Sequence, residues 1–428
     1  MRKGVIMDLI IRNAKLRDRH ERVDIGIHNG TFHTITETIE KTGIQEIDAQ
    51  GRLVTPPFVE SHVHLDSALT VGNPAFNQSG TLLEGIDIWS TYKQTLTKES
   101  IKKHAQKAID WLITQGVLRI RTHTDSTEPN LLTLEAILEL KEEMKDFIDI
   151  QVVAFPQDGI FAHAGMDERL IDAVKMGADV IGGMPQVELT REDGIESIAY
   201  IFNLAEKYHK LIDIHTDETG DTQSRFSEVI AKYTLKYSMA NRVTASHTTA
   251  MHNYHNDYAA KLIGNLKRAG VHIVTNPFSN TLLQNRLDGY PRGRGHTRVD
   301  ELLQAGVNIS IGNDNIMDPF NPYGKGSMLQ AANLLAHTAH LSGHDQVDHL
   351  FDMITVNGAK IIQDHNYGIE EGHQADCIML DASHEQEAIR LTSECLYVIR
   401  KGEIIAETKP ATRTLHAHRD SIQIDFKH

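Results

Sequence analysis

Apolar residues recur along this chain in two alternating rhythms. From residue 58 to about 365, short apolar runs of strand length alternate with stretches in which apolar positions return every three to four residues, the period of an amphipathic helix. Strands are expected at 58–65, 117–124, 148–155, 178–184, 211–216, 242–247, 271–276 and 307–313, with helical periodicity at 131–145, 167–176 and 195–208. Four of the strands follow Gln115-Gly116, Met176-Gly177, Ala269-Gly270 and Ala305-Gly306, and glycine after a helical stretch is the usual C-terminal stop. Eight strand–helix units over this length predict an α/β protein built on a (β/α)8 TIM-type barrel. The alternative, an open doubly wound sheet, lacks its mark, because no glycine-rich phosphate turn follows any strand.

The two ends read differently. Residues 1–57 hold short strands at Leu9-Ile-Ile, Asp24-Ile-Gly-Ile and Thr34-Ile, with Asn29-Gly30 as a hairpin turn. Pro56-Pro57 then marks a boundary, since proline cannot pair inside a sheet. Strand character returns in residues 366–428, at Ala375-Asp-Cys-Ile-Met-Leu380 and Leu396-Tyr-Val-Ile, before Lys401-Gly402 turns the chain back into Glu403-Ile-Ile. Residues 410–428 are polar and are expected to form a terminal arm.

Composition narrows the function. Of 428 residues, 40% are hydrophobic and 24% charged, as in ordinary folded proteins, and the length calls for a large domain with a smaller companion. The net charge of -15 argues against nucleic acid as the partner, since phosphate binding needs a basic surface. Two cysteines, Cys377 and Cys395, allow no disulfide framework and no cysteine-rich zinc site, and read as reduced core thiols. Asp8 and Arg12 interrupt the first apolar run, which is therefore expected to be a strand rather than a signal peptide. No run approaches membrane-span length, so the expectation is a cytoplasmic protein without a membrane partner.

The candidate chemistry collects at strand ends. In Phe58-Val-Glu-Ser-His-Val-His-Leu-Asp66, His62 and His64 stand two apart on an expected strand and so share a face. Strand two ends in His123, strand three leads to Gln157, strand five gives His215 and then Glu218, strand six gives His247, and strand eight gives Asp314. In a barrel of this kind chemistry occupies that end. His62, His64, His215 and Asp314 form a set of three imidazoles and a carboxylate that suits zinc or ferrous iron with a position left for water. Such an ion makes water a nucleophile near neutral pH. Glu218 is placed to protonate a substrate nitrogen, and His247 to hydrogen-bond the water. Strand four, Ala178-Asp-Val-Ile-Gly-Gly-Met, carries no lysine to bridge two metals, which favours one divalent ion per chain.

These stretches resemble the amidohydrolase superfamily and, within it, the cytosine deaminase family. The likeness is carried by residues 58–66, Asn77-Gln-Ser-Gly-Thr-Leu82, Val153-Ala-Phe-Pro-Gln157, Asp213-Ile-His-Thr-Asp-Glu218, Val243-Thr-Ala-Ser-His-Thr-Thr-Ala-Met-His252, Gly312-Asn-Asp314 and Asp318-Pro319. The resemblance implies a small β-sandwich made from both chain ends (1–57 and 366–428) around the barrel at 58–365. It implies His62, His64, His215 and Asp314 as metal ligands, Glu218 as proton shuttle, and His247 as the residue that orients water. Gln157 would read the pyrimidine carbonyl and ring N–H edge, and Leu82, in the loop after strand one, would line the pocket. The implied reaction is conversion of cytosine, or a closely related small amino-heterocycle, to the carbonyl compound and ammonia. A closed homo-oligomer is also implied. Three positions depart from the cytosine deaminase pattern: Asn313 stands in place of His, Asn315 in place of Asp, and Phe320 in place of Trp. Asn315 and Phe320 are expected beside the substrate's exocyclic group. They open the alternatives of 5-methylcytosine, isocytosine, creatinine or an N-substituted aminotriazine, and Asp-Asn-Ile at 314–316 is similar to an enzyme acting on the last of these.

Overall fold

The computed structural model describes residues 6–40, 42–417, 420–424 and 426. Its centre is a parallel sheet of eight strands, Phe58–Val63, Val117–Asp125, Asp149–Phe155, Val180–Gly183, Leu211–Thr216, Val243–His247, His272–Thr275 and Ile309–Ile311, each paired with its sequence neighbour. All eight expected strands are present, with ends displaced by up to about two residues. The last strand is the shortest, because Asn313 and Asp314 leave the ladder to bond across the seam. There Val63 pairs in parallel with Asp314, His64 N–H donates to the Asp314 carbonyl (2.8 Å), and Asp314 N–H donates to the His62 carbonyl (2.8 Å). The seam that closes the barrel is thus built from the backbone of three candidate metal ligands.

The helices between the strands follow their apolar rhythm and their caps. Leu132–Met144, Met166–Met176 and Arg191–Tyr208 bury one face each. Thr190 caps the last of these through a capping box with Asp193. Gly270 ends the helix Asn256–Ala269 at φ +68°, a left-handed conformation that favours glycine. Helices and strand exteriors share one continuous core.

The chain ends form two four-stranded sheets. One runs in the order Thr31–Thr36, Arg22–His28, Leu9–Lys15, Gln45–Asp48; the other runs Glu403–Glu407, Cys395–Arg400, Cys377–Leu380, Val54–Thr55. Asn29-Gly30 and Lys401-Gly402 have positive φ at both positions (50° and 72°; 50° and 80°), the signature of the tight turns expected there. The two sheets share a core in which Ile25, Ile27 and Phe32 join Cys377, Met379 and Ile399. Both cysteines are buried and free. The strand Gln45–Asp48 escaped the periodicity because it is short and largely exposed. The terminal arm contains a hairpin, Thr414–Ala417 with Asp420–Gln423, while residues 418, 419, 425, 427 and 428 lie outside the described residues. Among the described residues no helix is long and apolar enough to cross a membrane.

A buried ion network ties the barrel to the second sheet. Arg400 Nη1 donates to Asp376 Oδ2 at 2.6 Å, and Arg119 Nη2 lies 2.9 Å from the same oxygen. Burial alone would raise the Asp376 pKa, but the Arg119 and Arg400 charges hold it below the usual carboxylate value. Its stabilising contribution is therefore fully present above the unfolded value near 3.9 and fades as pH falls through the lower folded value. Asp376→Asn is expected to cost about 3 kcal/mol, the low end for breaking a buried pair, because Asp149 and Asp364 still face the arginines. Denaturant unfolding at neutral pH measures this loss, which should shrink in acid.

Candidate active site

The polar strand ends meet at one mouth of the barrel. His62, His64, His215 and Asp314 each offer one ligand atom, and these atoms lie within 4.8 Å of one another. Asp314 Oδ1 is 3.3 Å from His62 Nε2 and 3.4 Å from His64 Nε2, and His64 Nε2 is 3.2 Å from His215 Nε2. His62 Nε2 has no hydrogen-bond partner although buried. A divalent ion is the kind of group such an atom, in such company, would bind.

The electrostatics agree. Burial, reinforced by the charge of His123, pushes His62 down to about 4. Burial also holds His215 well below its ordinary value and His247 down at about 3. These rings are neutral at pH 7, the form that ligates a metal. His64 goes the other way: burial opposes its charge, but the Asp314 hydrogen bond and the charges of Asp314, Asp66 and Asp318 lift it to about 9. Burial raises the Asp314 carboxyl, yet the neighbouring imidazoles win and hold it well below the carboxylate range.

Glu218 is buried beside this cluster, 3.6 Å from His247 Nδ1, and accepts a hydrogen bond from Gln284 at 3.4 Å. Burial, then repulsion by Asp314, pushes its pKa well above the ordinary value. It is thus a carboxyl group that holds its proton to higher pH than an exposed glutamate does. His247 itself is gripped by Asn280 (2.9 Å) and Asn276 (3.3 Å). His247 and Asp314 both carry left-handed φ, 70° and 66°, a conformation uncommon for non-glycine residues.

A pocket opens onto this cluster, and its wall includes His64, Leu82, Gln157, Glu218, Asn315 and Phe320. His62 and His247 stand behind that wall. Leu82 lies in the pocket as expected, but on a helix rather than in a loop: Thr81 caps the helix Leu82–Tyr92 by accepting the Glu84 N–H. Asn315 is less free than the sequence suggests. Its Oδ1 accepts from Ser279 (2.9 Å) and its Nδ2 donates to Asp318 (2.7 Å), so its amide orientation is set from behind the pocket. Trp89, Ile86, Met184 and Leu283 complete the apolar wall and were not singled out from sequence. Alone, each looks like an ordinary core residue.

Sequence reasoning also passed over a polar layer beneath the site. Glu60 lies two residues before His62, Arg121 two before His123, and Asp213 two before His215, so each shares the interior face of its strand with that histidine. The Glu60 carboxylate spans the barrel seam, accepting from His62 N–H (3.1 Å), Asn313 N–H (3.1 Å) and Asn313 Nδ2 (2.6 Å). This alternation was a usable signal. His123 packs into the cluster, stacked on His62 with ring centroids 3.9 Å apart, but it does not line the pocket.

Comparison with known proteins supports the likeness. Residues 45–406 match the model of the amidohydrolase family. N-isopropylammelide isopropyl amidohydrolase of Pseudomonas sp. (strain ADP) is 34% identical over 94% of this chain and 97% of its own length. Pterin deaminase of Rhizobium rhizogenes is 28% identical over 87% of this chain and 85% of its own. The crystal structure of 5-methylcytosine deaminase from Klebsiella pneumoniae, liganded with 5-fluorocytosine, superposes with a TM-score of 0.93. It has 41% identity and covers 96% of this chain and 100% of that one.

Proposed function

We propose that this chain, which belongs to the amidohydrolase family and is a hydrolase of C–N bonds, deaminates cytosine or a 5-substituted cytosine to the corresponding uracil and ammonia. The observation that carries the reading is the juxtaposition, at one pocket, of the three-histidine-and-aspartate cluster, the buried Glu218 carboxyl and the Gln157 amide. The likeness to the Klebsiella 5-methylcytosine deaminase supports the ring chosen.

In this reading His62, His64, His215 and Asp314 hold one divalent ion, zinc or ferrous iron. When bound, the ion supplies the Lewis acidity that makes water nucleophilic near neutral pH. Gln157 presents donor and acceptor side by side to the carbonyl and ring N–H edge of the pyrimidine. Leu82 and Phe320 exclude bulk water from the ring. His247, fixed by Asn276 and Asn280, orients the attacking water. Glu218 delivers its proton to the ring nitrogen next to the amino-bearing carbon as that carbon gains the water oxygen; one water proton restores Glu218 and the other passes to the departing amino group, so that the exocyclic C–N bond breaks, the carbonyl forms and ammonia leaves.

A second reading, release of an alkylamine from an N-substituted aminotriazine, is favoured by the Pseudomonas relative and by Asp-Asn-Ile at 314–316. Metal-loaded protein assayed on cytosine, 5-methylcytosine, isocytosine and N-isopropylammelide separates the two: ammonia from the cytosines supports the first, isopropylamine from the triazine the second. Asn315→Asp is expected to change the ranking of the three pyrimidines while leaving metal content intact, because a carboxylate cannot donate to Asp318 and must repack at the pocket wall. Sites that bond a substrate group reject analogues lacking it by roughly 10⁴-fold, against about 10–200-fold for a methyl in an apolar wall. An unchanged ranking would remove Asn315 from specificity.

A further inference from the structure

Beneath the cluster a line of buried side chains descends the barrel interior from His62. His62 Nδ1 lies 3.0 Å from Ser246 Oγ. The Ser246 hydroxyl donates to Asp213 Oδ1 at 2.7 Å, and Arg121 Nη1 donates to Asp213 Oδ2 at 2.9 Å. Arg121 is anchored in turn by the Ile361 carbonyl (2.8 Å) and the Gln151 side-chain oxygen (2.9 Å). His62, Ser246, Asp213 and Arg121 are each 0% exposed. Ser246 sits on the sixth strand opposite His215 on the fifth, and Asp213 lies two residues before His215, so sheet register sets these two side by side, and barrel closure brings His62 and Arg121 to them across the interior from strands one and two.

Counting protons along it leaves one arrangement. A guanidinium has donors and no acceptor, so the Asp213 carboxylate that faces Arg121 is an acceptor. Ser246 has a single hydroxyl proton, and it points to Asp213. Toward His62 the serine oxygen is therefore the acceptor, and His62 carries its proton on Nδ1. The lone pair is left on Nε2, the atom that has no hydrogen-bond partner and lies 3.3 Å from Asp314 Oδ1 in the cluster. The stacked ring of His123, at 3.9 Å, covers one face of His62 and keeps it in this plane.

We propose that Ser246 and Asp213, with Arg121 as counter-charge, are positioning residues that lock His62 in the Nδ1–H tautomer and so aim its Nε2 lone pair at the divalent ion. The proposal rests on the metal reading of the cluster. Metal-ligating histidines owe their orientation to the partner of the other ring nitrogen, and loss of such a partner typically weakens metal binding about 10–100-fold. Here the carboxylate acts through an interposed hydroxyl.

The test is zinc affinity of the full chain, measured by competition with a chromophoric chelator, together with ring-¹⁵N spectra of the zinc-free protein in which the His62 signals are identified by their loss in His62→Ala. Ser246→Ala removes the acceptor and leaves the Asp213–Arg121 pair in place. It is expected to fold with a melting temperature near that of wild type, to bind zinc about 10–100-fold more weakly, and to lose the Nδ1–H pattern at His62. Ser246→Thr restores the hydroxyl and should restore both affinity and pattern. Asp213→Asn puts an amide donor against Ser246 and should turn the serine proton toward His62, favouring the wrong tautomer. A folded Ser246→Ala protein with wild-type zinc affinity and an unchanged His62 spectrum would overturn the proposal while leaving the metal reading intact. A wild-type chain that binds no zinc would overturn the metal reading, and this proposal with it.

Discussion

Glu218→Gln is expected to keep its metal and lose roughly 10²–10⁴-fold in turnover, the usual worth of a positioned general acid–base group. The change is nearly isosteric. The substituted amide could still meet Gln284 through its carbonyl oxygen and would leave the ligand set of His62, His64, His215 and Asp314 untouched. What disappears is the exchangeable proton. Burial, aided by the Asp314 charge, raises the Glu218 pKa so that it holds that proton to higher pH than an exposed glutamate does, whereas an amide has none to give. The assay is ammonia release under substrate saturation, with metal content measured on the same samples. A Glu218→Gln protein turning over near the wild-type rate would remove Glu218 from the reaction.

His62→Ala is expected to abolish both metal binding and activity. The wild-type chain should carry about one divalent ion, and three imidazoles plus one carboxylate leave a position open for water. His62 is wholly buried, so its removal takes one donor atom from the four and opens a void among the remaining ligands. Uptake of the ion by wild-type protein should also release protons. His64, lifted to about 9 chiefly by Asp314 against the effect of burial, holds a proton at pH 7 that the ion must displace. Elemental analysis and a weakly buffered zinc titration measure the two quantities. Two ions per wild-type chain, or full metal content in His62→Ala, would refute the single-ion reading.

How much of this could be read from the chain differs from residue to residue. The strand and helix rhythm placed all eight barrel strands, since burial on one face imposes a period that survives in the sequence. The turns at Asn29-Gly30 and Lys401-Gly402 were equally legible through their glycines, which take positive φ at little cost between two apolar runs. The family likeness places Leu82 in a loop, whereas the structure puts it at the start of a helix that Thr81 caps. Asn315 was recognised as a pocket residue, but not as one held by Ser279 and Asp318. Nothing near it in sequence announces Ser279, 36 positions away.

By itself, then, the sequence determined the order and type of the elements and the presence of titratable residues at one end of apolar strands. Both are consequences of local backbone preference and of which faces must avoid water. The tertiary structure decided what surrounds and holds the set of His62, His64, His215 and Asp314 that the strand ends and the family likeness had named: His123 stacks on His62, and Asp213 reaches His62 through Ser246 and is balanced by Arg121. The contacts from His62 through Ser246 and Asp213 to Arg121 join residues 33 to 184 positions apart. Their partners are chosen by strand register and barrel closure, not by neighbours along the chain, so no local pattern encodes them.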